Sequence, residues 1–244
     1  MAGIQRVSFF AVPMHASDLF DRHQKVRTIL QVINACIELK GSQPQGEIMI
    51  NVAIIYHSGY GHTERLAQSV AVGVRDGGAE AGLFRATELA TPQSEHWTTL
   101  KAADALIFGA PTYMGAASAE FKKFADTSSH VWANHDWKDK LAAGFTNSGS
   151  VAGDKSSTLN QMFILASQHG MIWVPPAFKP GFSKSSQEYD TAINRTGFYT
   201  GVGTQSLDDH GPDQSPNAAD LETGRRLGER VAVVAHRWTG AQAA

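Results

Sequence analysis

From residue 49 onward, short continuous apolar runs alternate with stretches in which apolar residues recur every three or four positions. The first run, residues 50–56, reads as a buried strand, and Leu66, Val70 and Val74 then mark the inner face of a helix that ends at Gly77-Gly78. A second strand is expected at 80–85, and Pro92-Gln93-Ser94 opens a short helix. Residues 104–109 form the most apolar run, followed by a helix over 118–126 with Phe121 and Phe124 turned inward. A fourth strand is expected at 141–146, then a helix over 158–169 with Met162, Ile164 and Leu165 as its apolar residues. A fifth strand at 171–174 is closed by Pro175-Pro176. A long polar stretch, 179–217, leads to a last helix over 218–238.

Five short apolar strands alternating with helices predict an α/β fold, a doubly wound five-stranded parallel sheet with helices on both faces. Right-handed crossovers bring every strand-to-helix loop to one sheet edge, where ligands of such sheets bind. Residues 1–48 read differently. Ser17-Asp18 caps a possible helix to about Leu39, and residues 41–46 form a Gly/Pro-rich linker. This segment is either an added helix or a piece upstream of a true start at Met49; the domain proper is 49–244.

Composition narrows the function classes. The chain has 244 residues, 42% hydrophobic and 18% charged, with a formal net charge of −2. That balance offers no positive field for nucleic acid or anionic membrane. No apolar run approaches the roughly 20 residues needed to cross a bilayer, and the N-terminus does not read as a signal peptide. One cysteine, Cys36, excludes an internal disulfide and suits a cytoplasmic protein. His57 and His62, or His130 and His135, lack accompanying ligands at metal-site spacing, so no metal is expected. Asp208-Asp209-His210-Gly211 reads as a polar turn.

Three loops at the carboxyl edge carry candidate chemistry. After the first strand come Ser58, Gly59, Tyr60, Gly61, His62 and Thr63, a hydroxyl- and glycine-rich turn that opens a helix. Such a corner aims backbone N–H groups and a helix N-terminus at an anion. It lacks the lysine of a Walker loop and the third glycine of the dinucleotide fingerprint, which leaves a single terminal phosphate or a plain capped turn. After the third strand come Pro111, Thr112, Tyr113, Met114 and Gly115, where Tyr113 or Met114 could lie against a flat ring. After the fourth come Asn147, Ser148, Gly149, Ser150, Val151 and Ala152, small residues that leave room for a planar edge.

Taken together these motifs, with His169-Gly170-Met171 and Gln214-Ser215-Pro216, resemble the flavodoxin-like flavoproteins, and most closely the WrbA-type NAD(P)H:quinone oxidoreductases. The resemblance covers about residue 49 to the end. It implies non-covalent FMN, NAD(P)H as co-substrate, two-electron reduction of a small-molecule quinone, and a homo-oligomer (dimer or tetramer). By position, Ser58 to Thr63 would hold the phosphate, and Pro111 to Gly115 with Asn147 to Ala152 would contact the ring. His169 would sit at the flavin as the catalytic residue, Tyr60 at the nicotinamide, and Trp132 over the substrate in a site between subunits. The chain departs from the family at Tyr113-Met114, Ala116, Asn147 and Val151-Ala152, which bears on the quinone pocket more than on the FMN site. A flavodoxin-type electron carrier and an NAD(P)H-dependent FMN reductase are the alternatives. A phosphoacceptor receiver domain is excluded, because Gly109-Ala110-Pro111 stands where its aspartate would be.

Overall fold

The computed structural model describes residues 49–242, and the helix and linker expected within residues 1–48 lie outside the described residues. The chain divides into units 1–47 and 48–244, and every described element belongs to the second. Strand β1 (Asn51–Tyr56) leads into α1 (His62–Asp76), then β2 (Glu80–Arg85) and a 3-10 turn at Ala86–Leu89. Next come α2 (His96–Ala102), β3 (Ala105–Tyr113), the two-residue β4 (Ala116–Ala117), α3 (Ala119–Thr127) and the single turn α4 (Ser129–Trp132). They are followed by β5 (Leu141–Ser148), α5 (Lys155–Gln168), β6 (Ile172–Trp173), β7 (Val202–Gln205) and α6 (Ala218–Gln242).

The main strand order is β2-β1-β3-β5-β6, all parallel, with β4 antiparallel on β3 and β7 parallel on β5. Continuous apolar strands fit this order because both faces are covered. Val52, Ile54, Ile107, Ala143 and Phe145 face α1 and α6, whereas Ile55, Leu106, Phe108 and Ala142 face α2, α3 and α5. The sequence reading differs from the structure in two places. The fifth sheet position is shared: β6 pairs with Leu141 and Ala142, and β7, inside the stretch read as irregular, pairs with residues 145–148. On α5, Met162 is buried but Ile164 is exposed.

α1 and α6 cross almost backbone to backbone. A Cβ on Gly73 would strike the carbonyl of Arg225, and one on Gly228 the carbonyl of Val70. No side-chain rotation relieves a clash with main chain, so the helices would have to part. Gly228→Ala is expected to destabilise the fold by about 1–3 kcal/mol, the usual range for overpacking, read as a lower urea midpoint at unchanged slope.

Candidate functional site

β1 delivers the chain to residues 57–61 at the carboxyl edge, and α1 leaves from Gly61, whose φ of 89° suits glycine. No side chain caps α1, so the amides of its first turn have neither an intrahelical nor a side-chain acceptor. Ser58 lies beside them, and its Oγ is buried without a hydrogen-bond partner. A buried hydroxyl left open costs free energy unless something accepts from it, and the free amides beside it offer further donors to the same acceptor. A phosphate is the acceptor that also suits the positive end of a helix dipole. His62 is held aside, its Nδ1 donating to the Ser215 carbonyl over 2.7 Å.

From this corner a cavity of about 610 Å³ extends across the strand ends. Ser58, Tyr60, His62 and Thr63 line its β1 end. Pro111, Thr112 and Tyr113 line it from β3, and Asn147, Ser148 and Gly149 from β5. Because β3 lies between β1 and β5, the cavity runs from the anion corner toward the β5 loop. Its wall is stiffened by hydroxyl contacts. Thr112 Oγ1 lies 2.8 Å from the hydroxyls of both Thr146 and Thr158, tying β3, β5 and α5 together. Asn147 Oδ1 accepts from Thr204 at 2.8 Å and Ser206 at 3.0 Å. Tyr113 leans over the mouth: its hydroxyl stands 2.5 Å from where a Cβ on Gly59 would be, and its ring meets Tyr60 edge-on at 6.3 Å. Burial raises its phenol pKa.

Other expected contacts fall elsewhere. Gly59 and Gly61 shape the corner without lining the cavity. Met114 (φ 48°) and Gly115 (φ 80°) turn the hairpin into β4, and Met114 is fully exposed. Ser150, Val151 and Ala152 are exposed and do not line the cavity. His169 does not reach the cavity within one protomer. It ends α5 at the amino-terminal edge of the strands, opposite the anion corner. There it is buried, with Nε2 2.9 Å from Ser128 Oγ and its ring 4.4 Å from Trp137. Trp132 shares that edge, and both line a separate hollow of about 510 Å³. The reason is topological, since a helix following a parallel strand must run back across the sheet before the next strand begins.

Sequence reasoning missed the wall supplied after β7. Ser206, Leu207, Asp208, His210, Gly211 and Pro212 close the cavity from the fifth sheet position. The expected polar turn is therefore part of the site. Its only signal was Val202-Gly203-Thr204-Gln205, too short to read as a strand. No cluster of three or more His, Cys, Asp or Glu able to hold a metal occurs among the described residues. No helix there is long and apolar enough to cross a membrane.

A doubly wound sheet with an open anion corner and an elongated cavity at its carboxyl edge defines a mononucleotide-binding protein of the flavodoxin-like class. The chain belongs to the NADPH-dependent FMN reductase family, whose model matches residues 50–182. It is 41% identical to flavodoxin FldP of Pseudomonas aeruginosa over 75% of this chain and 96% of that one. It is 30% identical to an NAD(P)H dehydrogenase (quinone) of Archaeoglobus fulgidus over 78% and 99% of the two chains. A crystal structure of a flavodoxin, WrbA-like protein from Agrobacterium tumefaciens superposes with a TM-score of 0.59 at 40% identity, over 77% of this chain and 98% of that one. The protein is an FMN-dependent oxidoreductase that draws electrons from NAD(P)H, with the flavin held non-covalently.

The neutral donors of the corner fit the phosphate of FMN. Ser58→Ala is expected to weaken FMN binding by about 10- to 100-fold, the weight of one hydrogen bond to a charged group. Ser58→Glu, which sets a carboxylate against the phosphate, should abolish binding with unchanged circular dichroism. Flavin fluorescence titration reads both.

Burial pushes the His169 pKa from 6.5 down to about 4. The unfolded chain therefore binds the proton that the folded chain refuses. This contribution to stability is complete above pH 6.5 and is lost as pH falls toward 4. The loss amounts to about 3 kcal/mol. Denaturant titrations at pH 7 and pH 4 should show His169→Gln losing less stability than the parent.

Proposed function

We propose that the protein passes two electrons from NAD(P)H to small-molecule quinones, in the cytoplasm and as a homo-oligomer. The observation that carries this reading is the corner itself: Ser58 Oγ, buried and unpartnered, beside the uncapped start of α1, at the head of a cavity large enough for a mononucleotide. In that cavity Ser58, Thr63 and the first amides of α1 would hold the FMN phosphate. Thr112, Tyr113 and residues 147–149 would flank the ring system. When bound, FMN supplies the hydride chemistry, and the protein supplies orientation and electrostatics. Tyr60 and Tyr113 place two aromatic faces at the open side, where a flat donor or acceptor can stack and bulk water is displaced. The quinone assignment draws support from the quinone-reducing relatives, which match nearly their full length.

Trp132 and His169 enter this reading through assembly. Trp132 is half exposed at the edge opposite the cavity. Only in a homo-oligomer can that edge meet a flavin site, that of a neighbour, and there Trp132 would wall a substrate pocket shared between subunits. His169 would reach such a pocket by the same route.

The identity to a protein called a flavodoxin favours a second reading, a one-electron carrier that docks other proteins. Asp208 on the cavity wall and Asp209 beside it would serve such docking. Turnover separates the two. Purified protein should take up FMN, turn yellow, and consume NADH or NADPH when benzoquinone is added. Protein that stays colourless in excess FMN would reject the site. FMN-loaded protein that reduces a redox partner protein yet turns over no benzoquinone would establish the carrier.

A further inference from the structure

Lys155 is the first residue of α5 and is completely buried. Its Nζ donates to the carbonyl of Ser150 and, at 3.2 Å, to that of Val151. The location runs against two physical preferences at once. A buried ammonium loses its hydration, and a cation at a helix N-terminus faces the positive end of the dipole. Nor is it neutralised by a carboxylate of its own. The charged groups facing it are Arg195, from the segment before β7, and Asp220, on α6. Both oxygens of Asp220 are taken by Arg195, at 3.0 and 2.9 Å, and one of them also accepts from the Gln205 amide at 3.0 Å. Asp190, which also pairs with Arg195, is mostly exposed. The interior thus holds two cations against one buried carboxylate, behind the loop that borders the cavity.

The loop conformation follows from the same contacts. In a trans peptide the C=O and the next N–H point opposite ways. Drawing the Ser150 and Val151 carbonyls inward turns the Val151 and Ala152 amides outward. The Ser150 carbonyl also accepts from Ser148 Oγ at 3.3 Å, and Ser148 lines the cavity. The ammonium is therefore two hydrogen bonds from the wall, at the end of the cavity away from the phosphate corner.

We propose that Lys155 is a positioning residue of the flavin site: it fixes the β5–α5 loop that borders the cavity and, through the Ser150 carbonyl, the cavity-lining Ser148, and its charge makes the cavity prefer reduced FMN to oxidised FMN. This rests on the FMN reading of the cavity. The phosphate carries the same charge in both forms, but the ring system of reduced FMN bears a negative charge that the oxidised ring lacks. A fixed cation behind the cavity wall at that end would discriminate between them. Burial lowers the Lys155 pKa to about 8, which still leaves most of the side chain charged at pH 7.

The test uses the FMN-loaded protein and two variants, with oxidised-FMN affinity and the two-electron midpoint potential measured at pH 7. K155M removes charge and hydrogen bonds together. It should weaken oxidised FMN several-fold and reduced FMN about tenfold more, which lowers the midpoint by about 30 mV. K155Q keeps a donor for the loop carbonyls without the charge. It should recover most of the oxidised-FMN affinity while its midpoint stays low. If K155M fails to fold, the K155Q midpoint decides alone. Wild-type potentials in both variants, or in K155Q alone when K155M cannot be made, would overturn the proposal even if affinity falls, since that pattern marks a purely structural lysine. Failure of the wild-type protein to bind FMN would instead overturn the site reading itself.

Discussion

A helix start with nothing to cap it is the constraint on which this site depends. The amides opening α1 and the hydroxyl of Ser58 are left by the protein without acceptors. Leaving the buried Ser58 hydroxyl open is unfavourable unless a ligand completes it. No lysine or arginine lines the cavity among the described residues, so an anion in this corner would be held through geometry and dipole, with Gly59 and Gly61 keeping the main chain close. Everything else at the carboxyl edge follows from where β1 lies. β3 is its neighbour and β5 the next strand, so the loops after those strands extend one continuous trough away from the β1–α1 corner.

The same topology places His169 and Trp132 out of reach. Each crossover helix returns the chain to the amino-terminal edge, and both residues follow such a helix. The family resemblance aligned them with a flavin site, but within one protomer both line a separate hollow instead. His169 is also not the neutral-range acid that an exposed histidine would be. Burial beside Trp137 and Ser128 holds it uncharged at pH 7. Any part it plays near a ligand is that of a neutral hydrogen-bonding ring.

Much of the architecture could be read from the chain because parallel strands covered on both faces are unbroken apolar runs, as in β3 and β5. Helix ends were marked by residues such as Gly77. Ser58 was legible for a related reason, since a hydroxyl and glycines between strand and helix have few other uses. What escaped were features set by distant partners. β7 carries a glycine and two polar residues in four positions and exists because β5 offers it a free edge beyond β6. Lys155 reads as a solvated residue at a helix start, and only the inward carbonyls of Ser150 and Val151 reveal otherwise. Met114 looked like a ring contact, but the left-handed turn at Met114-Gly115 swings it into solvent.

The shared fifth position explains how the cavity acquires its last wall. β6 pairs only with the first two residues of β5, which leaves the carboxyl half of β5 with unpaired backbone groups. An exposed edge there would be a liability. The chain departs at Val174, traverses residues 175–201, and returns as β7 to pair with residues 145–148. Because β7 ends level with β5, the residues after it emerge at the carboxyl edge beside residues 147–149. Thr204 and Ser206 then fix Asn147 from that side, and residues 206–212 close the trough. Protecting a sheet edge and completing a binding site are here the work of one short strand.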